Sequence, residues 1–238
     1  MAGMTVPRLA HLWPGVPFAL GAAILFGAST PLSKYLLGSI DPWLLAGLLY
    51  LAAGLGLLAV RPVRGMFGIP SAEASLKPAD YPWLAAVIVA GGIAGPVLLM
   101  FGLSRTSAGQ GALLLNLEGL ATMAIAWLVF RENVDRRLLI GAFAILMGAA
   151  VLAWNGSRLD FDLGGLLIAL ACLAWGIDNN LTRKLSGADP VQIAMVKGLA
   201  AGVTNVTLAM SLGSPFPSVT SAAEASIVGF FGIGVSLV

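Results

Sequence analysis

The stretch ALLLNLEGLATMAIAWLVFRE, residues 112–132, decides how the chain folds. It reads as membrane-spanning, yet Glu118 sits well inside it and the first basic residue arrives only at Arg131. From Ser107 to Phe130 the strongly polar side chains are Gln110, Asn116 and Glu118. A charged side chain near the bilayer midplane costs roughly 2.5–3.5 kcal/mol on insertion scales. Glu118 is therefore either paired inside a helix bundle or turned toward a wet cavity, and the rest of the chain bears on which.

Composition places that chain in lipid. Of 238 residues, 58% are hydrophobic and 10% charged, against about 25% charged in soluble domains. The net charge of +2 argues against a nucleic-acid partner. One cysteine, Cys172, and one histidine, His11, leave no disulfide framework, no His- or Cys-based metal site and no expected cofactor. The first apolar run lacks a clean signal-peptide cleavage site and is read as a retained span.

A spanning helix takes about 20 apolar residues. Runs at 17–37, 43–60, 82–103, 107–130, 138–155, 164–185 and 191–212 qualify, and an eighth starts near Ala223. Short turns separate them at Asp41-Pro42, Gly156-Ser157, Asp189-Pro190 and Ser214 to Pro217. The segment 61–81 reads as a surface loop. Barrel strands would be shorter and would alternate strictly in polarity, so the expectation is an all-α polytopic membrane protein. With a cytoplasmic N-terminus, nine cations fall on the inner side: Arg8, Arg61, Arg64, Lys77, Arg131, Arg136, Arg137, Arg183 and Lys184. Three fall outside: Lys34, Arg105 and Arg158. That imbalance fits the positive-inside rule, with the cytoplasmic (inner) membrane as the expected location.

Two segments repeat. FGASTPLSKYLLGSIDP (26–42) aligns with WGIDNNLTRKLSGADP (175–190): Gly27 with Gly176, Lys34 with Arg183, Gly38 with Gly187, and Asp41-Pro42 with Asp189-Pro190. The repeat unit holds five helices, and an odd number inverts the second copy. Inverted repeats build many secondary transporters, with the substrate site near the midplane where the copies meet. The expected architecture is two inverted five-helix repeats, 17–155 and 164–238, in a ten-helix fold. The second copy breaks off within the eighth helix, so the chain is expected to be a truncated form.

The FG-x-x-x-P pattern of the first helix, and the LE…AWLVFRE fourth helix running into a basic turn, resemble the EamA-type transporters of the drug/metabolite transporter superfamily. The resemblance covers 18–238. It implies ten helices around a central cavity, and export or exchange of small metabolites, amino acids or drugs by alternating access. The family's fourth helix often reads leucine–glutamate–proline, where this chain has Leu117-Glu118-Gly119.

Helical geometry selects the candidate pathway residues. Gly111, Glu118 and Thr122 share a face of the fourth helix, and Asn116, also a candidate, points largely elsewhere. Glu118 is read as a cavity carboxylate that binds a substrate amine or carries a proton; the structural alternative is a partner for a cation such as Lys197. On the sixth helix Trp175, Asp178 and Thr182 share a face, with Asn179 beside them. The equivalent face of the first helix carries Phe26, Ser29, Thr30 and Ser33. An aromatic wall with hydrogen-bonding groups suits a small amphiphilic substrate, while plain helix–helix hydrogen bonding is the alternative. Arg183 or Lys184 could partner Asp178 instead of a cavity, and Lys197 either snorkels or pairs with Glu118 or Asp178. Pro31 and Pro96 are expected to kink their helices, and Gly91-x-x-x-Gly95 and Gly198-x-x-x-Gly202 to allow close helix contact. No His-Glu-x-x-His motif and no pair of intramembrane carboxylates at catalytic spacing supports an enzyme. The expected partners are the bilayer and a small-molecule substrate, with a homodimer left open.

Overall fold

Each long apolar run closes its backbone hydrogen bonds within itself, as lipid requires, and the described residues fold mostly as helix. The computed structural model describes residues 15–66, 74–152 and 162–237. Arg8, His11, the Gly156-Ser157 turn and Arg158 lie outside them. The α-helices are α1 (Val16–Leu36), α2 (Pro42–Met66), α3 (Tyr81–Val87), α4 (Gly95–Arg105), α5 (Ala108–Leu114), α6 (Leu117–Leu128), α7 (Arg136–Leu152), α8 (Leu163–Thr182), α9 (Pro190–Ser211) and α10 (Val219–Gly229). A π-helical segment, Ile88–Ala94, joins α3 to α4, and a second, Phe230–Gly234, continues α10. Among the described residues no strand forms; a single isolated bridge joins Ala74 and Ala188.

Among the described residues six helices are long and apolar enough to cross a membrane: Val16–Leu36, Pro42–Pro62, Pro78–Arg105, Ala108–Leu128, Leu163–Leu185 and Pro190–Ser211. Val219–Gly234 is a shorter apolar helix. Large apolar side chains such as Phe18, Ile24, Phe143 and Val151 are 65–81% exposed on the outer faces, the arrangement lipid favours and water does not. The molecule is an all-α, multi-pass integral membrane protein.

Three sequence expectations change. Helix α2 runs on to Met66, through Arg61 and Pro62, because arginine is a good helix former and a charge alone stops nothing. The fourth span is not continuous. It kinks at Leu115–Asn116, where Asn116 Nδ2 donates to the Leu113 carbonyl at 2.9 Å. The same carbonyl accepts the Asn116 backbone N–H at 3.2 Å, so the side-chain amide adds a second donor at the end of α5. The third span is interrupted by its π segment upstream of Pro96, which lies inside the continuous helix and has no N–H for the carbonyls four and five residues before it, those of Gly92 and Gly91.

Helices α2 and α9 make the most extensive contact, and they run antiparallel. Gly47 lies against Asn205 and Val206, Leu51 against Gly202, and Gly54 against Gly198 and Leu199. Around this pair the contacts come in mates. The third span packs on α8 and α9; α10 and its π segment pack on α1 and α2. Pairing by mates, with an antiparallel centre, fits two copies of opposite orientation. Helix α1 buries only Thr30, Ser33 and Leu36, and Lys34 Nζ at its end donates to the Leu103 carbonyl at 2.6 Å. A cation on the last carbonyls of α4 is the favourable pairing for a helix C-terminus.

The close α2–α9 contact depends on glycine. A Cβ at Gly198 would stand 2.8 Å from the Gly54 nitrogen and 2.9 Å from the Tyr50 carbonyl oxygen. Gly198→Leu is therefore expected to destabilise the protein by roughly 1–3 kcal/mol or more. Gly119, with nothing within 4 Å of its Cβ position, should accept alanine without loss. Thermal unfolding of both variants in detergent checks the contrast.

Candidate functional site

Helices α1, α2, α4, α8 and α9, the kinked fourth span and Ile233 enclose a cavity of about 130 Å³. It receives eight of the ten candidate residues: Phe26, Ser29 and Thr30 from α1, Glu118 from α6, Trp175, Asp178 and Asn179 from α8, and Lys197 from α9. Thr182 stands behind the wall, its hydroxyl donating to Asp178 Oδ1 at 3.1 Å. Asn116 is outside, spent on its own helix. Ser29 donates its hydroxyl to the Phe26 carbonyl at 2.6 Å, and Ser33 is buried on the same face of α1.

The two carboxylates differ in their partners. Asp178 is 3% exposed and forms an ion pair with Lys197. Glu118 is half-buried and accepts from Asn179 Nδ2 at 3.0 Å; the same amide donates to Thr122 Oγ1 at 3.1 Å. Among the described residues Glu118 makes no ion pair. Of the alternatives the sequence left open, Lys197 thus takes Asp178 rather than Glu118. Arg183 pairs with Glu132 instead, and the Lys184 ammonium lies 6.0 Å from the Trp83 ring centroid. Asp178 and Asn179 address different helices because successive residues are turned by about 100° around a helix. Gly111 does not share the Glu118 environment either: the kink intervenes, and its Cα packs toward Leu103 and Ile168.

Sequence reasoning missed the π segment and what holds it. In this widened stretch Pro96 has no N–H to give to the carbonyls of Gly91 and Gly92, five and four residues before it. The Gly91 carbonyl accepts from Tyr50 Oη and from Trp175 Nε1, each at 2.9 Å. The Gly92 carbonyl accepts from Asn205 Nδ2 at 3.2 Å. Three neighbouring spans therefore supply the missing donors. A Cβ at Gly91 would also run into the Asp178 carboxylate of α8. Tyr50 was detectable, as the one tyrosine in the apolar run 43–60. Asn180, buried behind the cavity, donates to the Gly176 and Thr122 carbonyls at 2.8 and 3.0 Å and ties α8 to α6. Among the described residues no group of three or more His, Cys, Asp or Glu side chains is placed to hold a metal ion.

The arrangement offers one carboxylate facing open space, small hydroxyls, and walls of Phe26, Tyr50 and Trp175. It has the features of a small-molecule site: mostly apolar, with few converging polar groups.

Comparison with known proteins points the same way. The model of the EamA-like transporter family matches residues 13–154. An uncharacterized transporter of Methanothermobacter thermautotrophicus is 29% identical over 219 residues, covering 85% of this chain and 63% of that protein. The uncharacterized transporter YyaM of Bacillus subtilis is 27% identical over 172 residues, covering 69% of this chain and 54% of that protein. The chain thus spans less than two thirds of the length of these curated relatives. A solved crystal structure shares the fold, with a TM-score of 0.68 at 16% identity over 94% of this chain and 76% of that one.

The Asp178–Lys197 pair carries a direct test. Lys197→Met leaves a buried carboxylate without its cation and is expected to cost about 3–5 kcal/mol. The double change Lys197→Met/Asp178→Asn should recover most of that loss. Unfolding midpoints of the three proteins in one detergent decide it, and equal midpoints for the single and double variants would contradict the pairing.

Proposed function

We propose, since the chain belongs to the EamA-like transporter family, that it is a secondary transporter which exports a small organic solute through this cavity by alternating access. The family is one of the drug/metabolite transporter superfamily, so the chain is of a membrane-transporter type. The observation that carries the proposal is the cavity itself. Side chains from six crossing segments converge there, and an acid that lipid would not tolerate looks into it.

The frame of the proposal is a pair of inverted five-helix copies, 17–155 and 164–238, in the cytoplasmic membrane with the N-terminus inside. The antiparallel α2–α9 contact, the mated contacts around it, and a π segment in the third helix of each copy support that reading. The copies rock against one another, and Glu118 binds the solute or carries a proton. A second reading is that the 238-residue chain transports only when the counterparts of the fourth and fifth helices are supplied. Its coverage of 63% and 54% of two relatives favours keeping it.

Glu118→Gln is expected to bring solute flux in vesicles to background while the protein still inserts. Wild-type flux from that variant would remove Glu118 from the mechanism. Flux from the 238-residue chain alone in liposomes would dismiss the second reading. For the inverted frame, single cysteines are placed at Ser39 and at Ser186 in a Cys172→Ser background. An impermeant thiol reagent is expected to label the two from opposite sides of the membrane; labelling of both from one side contradicts it.

A further inference from the structure

The charges that line the cavity do not balance. Asp178 and Glu118 supply two carboxylates and Lys197 supplies one ammonium. The ammonium is committed to Asp178, which also takes the Thr182 hydroxyl. Glu118 is left with a neutral amide, that of Asn179, as its hydrogen-bond partner. With all three groups ionised, the lining carries one uncompensated negative charge in a low-dielectric, mostly apolar space. Such a charge is costly unless a counter-charge meets it.

We infer that the solute is a monocationic organic amine with an apolar or aromatic body, its ammonium held by Glu118. This rests on the transporter reading and names the class of solute for the same cavity. Three observations converge on it. Glu118 is the one lining carboxylate without a cation among the described residues. The rings of Phe26 and Trp175 border the same space, and aromatic faces attract cations as well as apolar bodies. Among the described residues no lining cation is free for an anionic group, because the Lys197 ammonium is bound to Asp178; the neutral Trp175 N–H is likewise taken up by the Gly91 carbonyl. The site therefore selects against carboxylates, and a zwitterion gains at its amine what it loses at its acid. A volume of about 130 Å³ is of the size that takes a single aromatic ring.

Four probes of nearly one shape test this: 2-phenylethylammonium, 2-phenylethanol, 3-phenylpropionate and phenylalanine. Binding is measured by calorimetry on the 238-residue chain in detergent. Flux is measured separately in liposomes. A charge-assisted contact predicts that the amine binds about ten- to a hundredfold tighter than the alcohol, with the anion weakest. Glu118→Gln should abolish that preference, and Asn179→Ala, which keeps the charge but loosens it, should reduce it only in part. Circular dichroism and a single size-exclusion peak show that each variant is folded. Failure of the amine to bind, equal binding of the anion, or an unchanged preference in Glu118→Gln each overturns the proposal. The transporter reading falls separately: amine binding that depends on Glu118, with no flux of any probe, removes transport and keeps the site. Flux without amine preference does the reverse.

Discussion

Everything in the cavity hangs from the contact between α2 and α9. Lipid offers helices no hydrophobic reward for associating, so their attraction comes from close approach and many small dispersion contacts. Glycines 47, 54, 198 and 202 permit that approach. The pair then holds Tyr50 from one helix and Lys197 from the other at the edge of the same space. The third span and α8 lie to one side, and α1 and α10 to the other. A bulkier residue at the crossing would separate the very groups that tether Gly91 and neutralise Asp178.

Several polar groups draw their partners from neighbouring spans, although the buried Oδ1 atoms of Asn180 and Asn205 find none among the described residues. The widened backbone at Gly91 and Gly92 borrows donors from Tyr50, Trp175 and Asn205. Asp178 borrows a cation from α9 and a hydroxyl from its own helix. Asn205 is 0% exposed and still has work for its amide. Against this economy Glu118 stands out, because a neutral amide is all it receives. The contrast separates an acid that holds the bundle together from one that faces what enters it.

Much of this was legible in the residues. The helices follow from runs of about 20 apolar positions, and the Asp-Pro turns do what the repeat implied. Asp189 accepts from the Val191 amide at 2.8 Å, and Asp41 from those of Trp43 and Leu44 at 3.0 and 3.2 Å, each holding a helix start. The repeat also pointed to the α1 and α8 faces that border the cavity. Partner choice was not legible. Spacing placed Asp178 and Asn179 side by side, but the partner helix each meets depends on packing that no single helix encodes. The kink at Leu115–Asn116 has no proline to announce it. The π segment was hidden too, since a cluster of glycines is compatible with plain α-helix.

That segment has a geometric consequence for the third span. Leu84 shares an apolar cluster with Leu185 at one end, and Leu103 shares another with Ile168 at the other, and the third span packs against the sixth along its length. Leu84 and Leu103 are nineteen residues apart, which in an unbroken helix of about 3.6 residues per turn leaves them roughly 100° out of phase. The wider turn absorbs one residue, and the eighteen that remain make five whole turns. The extra residue is thus a phase correction. Deleting one position between 88 and 94 would leave eighteen residues, five whole turns of plain α-helix, so Leu84 and Leu103 would both keep facing the sixth span while the widened turn at Gly91 and Gly92 would be lost.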